Sequence, residues 1–245
     1  MPHFVAVTAS KRFQMSDFDY IKRNYGELIS ELRDISERVG AAVPKLVSVT
    51  KSGSDEELMA LFRAGALAMG ENRPQELKRR GELLAENGIF PELHEIGNLQ
   101  TNKVKMIAER VTLIHSLDSL SLAREIDKQA KKFGRVIPVL IEINSAEEPQ
   151  KGGILPCDAE SFLKELRALD GIAVRGLMTM GPAECSEDEL RGYFRLTKQL
   201  FDRLHKEYGF GENPILSMGM SDSYRLAIEE GSTLVRVGRR LFKKD

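Results

Sequence analysis

The chain has 245 residues, with 36 Lys+Arg against 37 Asp+Glu and a formal net charge of −1. That length buries a substantial core, and the even charge excludes a global polycation built for nucleic acid. With 42% hydrophobic and 30% charged residues the composition is that of a folded globular protein, and no stretch reaches the roughly 20 apolar residues of a membrane helix.

The segment Met1–Thr8 has neither a basic n-region nor a long apolar h-region, so a secretory signal is not expected and a cytoplasmic location is. Cys157 and Cys185 are the only cysteines, and neither stands in a disulfide framework or a metal-ligand spacing. No linker or low-complexity tract divides the chain, which predicts one domain over residues 1–245.

In chain order, residues 16–39 come first. Phe18, Ile21, Tyr25, Leu28, Ile29, Leu32 and Ile35 recur at three- and four-residue intervals and predict an amphipathic helix. After Pro44, residues 45–51 read as a strand ending on Lys51. Ser54 and Glu57 then form a capping box for the next helix. Further strands are predicted near residues 67–70, 93–97, 112–116, 136–144, 172–178, 214–218 and 233–237. Helical stretches lie between them, among them 120–133 and 187–208. Residues 136–144 are almost continuously apolar, as in a strand covered on both faces. Alternating units of this kind predict an α/β fold, a (β/α)8 TIM-type barrel, with an open doubly wound sheet as the alternative. The basic end, Arg239–Lys244, is expected to be a solvated tail.

Chemistry in such folds gathers where strands end, because the following loops share one mouth. Lys51 is the most informative residue there. It is either a desolvated amine able to form a Schiff base with an aldehyde, or a rim lysine reaching solvent. Ser217-Met218-Gly219-Met220-Ser221 has the form of an anion cradle, or of a strand-to-helix turn capped by Ser221. Arg236 and Gly238 share a strand face, and a buried Arg236 needs either an ion pair or a ligand. His94 and His115 suggest a general base or packed strand histidines, and Asp118 a helix cap. No Ser-His-Asp arrangement or metal motif is present.

Taken together, these motifs resemble the pyridoxal-phosphate homeostasis family. The resemblance rests on Leu46–Lys51, Gly70-Glu71-Asn72 with Gln75-Glu76, His94–Lys103, His115–Ser119, Gly176–Met180, Leu216–Asp222 and Gly231–Gly238. It runs over residues 16–242 and implies a barrel like the N-terminal domain of alanine racemase (fold-type III). Pyridoxal 5'-phosphate (PLP) would be held as a covalent aldimine on Lys51. Ser217, Gly238, Ser221 and backbone amides such as that of Met218 would hold its phosphate. Arg236 would face its pyridine nitrogen, and Asn72 would line the ring. The chain departs from the family at Ser52-Gly53-Ser54, at Arg73-Pro74, at Ser223 and at Arg239, where a threonine often follows Gly238.

The resemblance also implies a choice between carrier and enzyme. A carboxylate beside the pyridine nitrogen keeps it protonated and strengthens the electron sink, whereas Arg236 there opposes protonation. Two-base racemisation needs a second acid or base, for which His115 and Tyr224 are the candidates, and no length remains for a racemase's second domain. The expectation is therefore a monomeric, non-catalytic protein that stores PLP or delivers it to PLP-dependent apoenzymes, with no nucleic acid, membrane or metal partner. The alternatives are a fold-type III enzyme such as an amino-acid racemase, or a regulator that senses PLP.

Overall fold

A computed structural model describes residues 15–182 and 184–244, and the Met1–Thr8 segment lies outside them. Eight parallel strands close into a barrel in sequence order. They are β1 (Lys45–Val49), β2 (Ala68–Glu71), β3 (Glu92–Glu95), β4 (Leu113–Leu117), β5 (Ile137–Ile143), β6 (Ile172–Thr179), β7 (Ile215–Ser217) and β8 (Leu234–Val237). β1 pairs with β2 on one side and β8 on the other, so the sheet is closed. Closure decides for the barrel over the open sheet.

The surrounding helices are α1 (Asp19–Val39), α2 (Asp55–Arg63), α3 (Pro74–Glu86), α4 (Leu120–Lys132), α5 (Ala159–Leu166), α6 (Glu187–Tyr208) and α7 (Tyr224–Glu229). The predicted first helix opens with a 3-10 turn, Met15–Phe18, before α1 begins. Ile21, Leu28, Leu32 and Ile35 form its buried stripe, and Gly40, with φ +65°, ends it in the left-handed conformation. α1 packs against both α2 and α7. The β3–β4 connection carries only a 3-10 segment, Thr101–Met106. Strand number thus follows the sequence expectation, while the helical layer is less regular than eight repeating units. No helix among the described residues is long and apolar enough to cross a membrane.

Most apolar side chains fill the layer between sheet and helices, including Ile137, Val139, Ile141 and Ile143 of β5. A second, small cluster lies inside the barrel: Val47, Ala68, Leu113, Leu140, Met178 and Leu234. Strand alternation puts His94, His115, Glu142, Ser217 and Arg236 on that same inner face.

Residues 239–244 do not form a solvated tail. Leu241 is fully buried, Arg240 pairs with Glu31 of α1 at 2.5 Å, and Asn24 donates to the carbonyls of Leu241 and Lys243. Partners on α1, nearly 220 residues earlier in the chain, supply what the local sequence does not show.

Candidate functional site at the barrel mouth

β1 ends at Val49, and the Gly53 N–H donates to the Thr50 carbonyl at 3.0 Å, closing a tight turn around Lys51. Lys51 is exposed there, which decides for the rim lysine over the desolvated amine. The turn places Lys51 just past the end of β1, outside the strand. The turn is gripped from behind by Arg80 of α3. One guanidinium nitrogen donates to the Thr50 carbonyl at 2.5 Å and to Glu71 Oε1 at 3.0 Å, and the other donates to the Gly53 carbonyl at 2.7 Å. Thr50 Oγ1 donates to the same Glu71 oxygen at 2.5 Å. Burial raises the Glu71 carboxyl, and the Thr50 and Arg80 bonds oppose that rise. Next to it, burial pushes fully buried Glu95 up to about 8; the Gly97 N–H opposes this and the Glu71 charge adds to it.

Asn72 stands exposed just past β2. Val49 pairs with Gly70, and Ser48 with Val237. The loops after β1, β2 and β8 therefore emerge side by side.

The β7 and β8 loops are joined to one another. The Gly238 N–H donates to Ser221 Oγ at 3.3 Å, and the Arg236 N–H donates to the Gly219 carbonyl at 3.1 Å. Gly219 has φ +88°, and a Cβ there would lie 2.5 Å from that of Ala227. A Cβ on Gly238 would lie 2.8 Å from the Val49 carbonyl oxygen. Both glycines thus let their loops pack where a side chain would collide, Gly219 against α7 and Gly238 against β1. Ser221 is not a helix cap: Ser223 is the residue before α7, and its Oγ accepts from the Met220 N–H. The Met218 side chain is buried in the outer core, and its N–H donates to the Leu234 carbonyl. Met218 shapes this turn from behind. Exposed Arg239 is paired with Asp222 at the rim.

Arg236 is almost wholly buried. It donates to Ser217 Oγ at 2.6 Å, to the Ser217 carbonyl at 3.0 Å and to the Thr179 carbonyl at 3.1 Å. Among the described residues no carboxylate lies within ion-pair distance of it. Burial lowers its pKa to about 10, with the Glu142 charge opposing, so the guanidinium stays charged at neutral pH. Glu142 is itself pushed up to about 7 by burial and by Asp118.

His94 and His115 lie inside the barrel, buried and bonded to each other at 2.9 Å. Tyr224 points the other way, donating to Glu31 of α1 at 2.7 Å. Asp118 is half-buried, and Ser119 caps α4 in its place. Arg80 was not among the sequence candidates. Its signal was a cation set into the apolar stripe Leu77, Gly81 and Leu84 of α3, a position that requires a buried partner.

Fold and mouth together define a single (β/α)8 barrel of the alanine racemase N-terminal-domain class, and the model of that family matches residues 24–244. A pyridoxal phosphate homeostasis protein of Aquifex aeolicus is 40% identical over 217 residues, covering 88% of this chain and 94% of its own. Among solved structures, an uncharacterised protein from Bifidobacterium adolescentis superposes with TM-score 0.86 at 32% identity, over 96% of this chain and 99% of its own. PipY of Synechococcus elongatus with PLP bound superposes with TM-score 0.79 at 29% identity, over 91% of this chain and 100% of its own. The chain belongs to the pyridoxal phosphate homeostasis protein family.

Proposed function

We propose that this protein binds PLP at the barrel mouth, as a Schiff base on Lys51, and stores or delivers the cofactor without turnover. The observation that carries this function is the placement of an exposed amine and a buried, charged arginine at the ends of the paired strands β1 and β8. The residues fit a phosphorylated aldehyde. Lys51 offers the amine, the closely packed Gly219 and Gly238 loops bring backbone to the mouth, and Ser221 offers a hydroxyl. The Ser217 hydroxyl, expected to hold the phosphate, is instead buried and bonded to Arg236 and His115. Asn72 is placed to line the ring, and Arg236 to face the pyridine nitrogen. PipY, with PLP in its structure, supports the same ligand class.

Bound PLP would supply an electrophilic aldehyde and an electron sink. A charged Arg236 beside the ring nitrogen disfavours protonation there and weakens that sink. Both candidates for a second acid or base are engaged elsewhere, His115 beneath the mouth and Tyr224 on α1. The names of the relatives point to homeostasis, in keeping with a carrier. A single chain in the cytoplasm, with PLP-dependent apoenzymes as recipients, completes the proposal.

The purified protein should absorb as a protonated imine when PLP is added, and borohydride should trap the adduct on the peptide containing Lys51. Lys51→Ala should abolish both signals. Colourless protein that stays unmodified would overturn PLP binding. Amino-acid racemisation above that of free PLP, lost in Lys51→Ala, would overturn the carrier role and leave the binding site intact.

A further inference from the structure

Two buried histidines have no place in the cofactor site as drawn so far, yet they lie on an unbroken path that begins at Arg236. Arg236 donates to Ser217 Oγ at 2.6 Å, and Ser217 Oγ lies 3.0 Å from His115 Nδ1. His115 Nε2 lies 2.9 Å from His94 Nδ1, and His94 Nε2 lies 3.1 Å from Glu92 Oε2. The path crosses the barrel interior from β8 and β7 to β4 and β3. Glu92 opens β3 at the rim opposite the mouth, where Lys45 pairs with it at 2.7 Å.

The chemistry of the two ends sets the direction of every bond between them. A guanidinium only donates and a carboxylate only accepts. The bonds from His94 and Lys45 hold Glu92 ionised, near a pKa of about 2. Burial keeps both imidazoles neutral. Glu92 therefore needs a proton on His94 Nε2, which leaves His94 Nδ1 bare to accept from His115 Nε2–H. His115 Nδ1 is then bare and accepts from the Ser217 hydroxyl, whose oxygen accepts from Arg236. Each middle member donates once and accepts once along the path. A proton added to His94 would set two donors against each other, and the other neutral tautomer of either ring breaks a bond.

We infer that this directed hydrogen-bond chain positions Arg236 beneath the mouth and gives it a relayed counter-charge, Glu92, on the far rim of the barrel. His115, His94 and Glu92 are then positioning residues that act on the cofactor's ring through Ser217 and Arg236. The need is physical, because Arg236 is hydrogen-bonded only to neutral acceptors and the nearby Glu142 carboxyl, itself pushed up to about 7, is only partly ionised at neutral pH. Polarised in one direction, successive hydrogen bonds strengthen one another. The inference about the ring rests on the proposed PLP site; the directed chain itself does not.

Nitrogen NMR of the full chain labelled at histidine, at neutral pH and without cofactor, tests the chain directly. His94 and His115 should each show a protonated Nε2 and a bare Nδ1. An Nδ1–H tautomer or a doubly protonated ring at either position would overturn the inference. With PLP added, Glu92→Ala should mix the tautomers, shift the absorption of bound PLP and weaken its retention about three- to tenfold, the scale of one lost hydrogen bond. Glu92→Gln keeps an acceptor oxygen without the charge, so it should keep the original tautomers and recover only part of the retention, and full recovery would overturn the counter-charge role. Lys45→Met breaks the rim ion pair and leaves the path whole, so it should keep the original tautomers and spectrum. If Lys45→Met instead matches Glu92→Ala, the ion pair and not the chain is responsible, and the inference fails. If the unaltered protein binds no PLP, the proposed function falls, while the tautomers still decide the chain.

Discussion

On the β1–β3 side of the mouth, buried charges meet outside the barrel: Arg80 and Glu71 pair behind the strands and grip the Lys51 turn through backbone carbonyls. On the β7–β8 side, the buried cation is inside the barrel and all three of its hydrogen-bond acceptors are neutral. The difference reflects what each side must leave free. An amine that is to react has to stay outside its support, so the rigidity is placed behind the chain that carries it. An arginine that is to act by its field has to keep its charge, and a carboxylate in direct contact would cancel much of it. One side of the mouth is held by charge and the other presents charge.

The largest effect expected from this contrast is at Arg80. Arg80→Met strands the Glu71 carboxyl without its partner and should destabilise the fold by about 3–5 kcal/mol in urea unfolding. A loss within about 1 kcal/mol would show that the pair is not what supports the turn. Ser217→Ala should be milder, about 1–3 kcal/mol by the same measurement, because Arg236 keeps the Ser217 and Thr179 carbonyls. Were Ser217→Ala the more damaging of the two, the contrast would be reversed.

A third effect is a slope with pH. Glu95 is raised from 4.5 to about 8 in the fold, so the native state holds its proton more tightly than the unfolded chain does. Stability from this group is complete below the unfolded value and is lost as pH rises through the folded one. It should fall by up to about 1.4 kcal/mol per pH unit. Glu142, raised to about 7, acts in the same direction. Glu95→Gln should flatten the slope seen in urea midpoints between pH 5 and 8, and an unchanged slope would place the titrating group elsewhere.

The strands were legible because each is an apolar run that stops at small or polar residues, and the capping box at Ser54 and Glu57 forms as read. The helix over residues 187–208 also forms with the expected bounds. Lys51 and Arg236 stood out through strand position and alternation. What escaped the sequence depends on closure. Alternation puts His115 and Ser217 on the inner face, but only the closed barrel brings β4 and β7 within hydrogen-bond distance across it. Arg80 escaped for a similar reason, since its carbonyl partners lie 30 and 27 residues earlier. For Lys51 alternation left both a desolvated amine and a rim lysine open, because it cannot say where a strand gives way to a turn; the turn after Val49 decides for the rim.

The latch between α1 and residues 240–243 bears on the order of assembly. The β1–β8 seam joins residues almost 190 apart, Lys45 opposite Leu234, and α1, made first, rests on a segment made last. The sheet therefore stays unclosed, and α1 has α2 but not α7 or Leu241 beside it, until β8 and the segment after it have been made. Trimming Leu241–Lys243 would remove buried Leu241 and both carbonyl acceptors of Asn24, and so unfasten one of the places where α1 and the last described residues are held together.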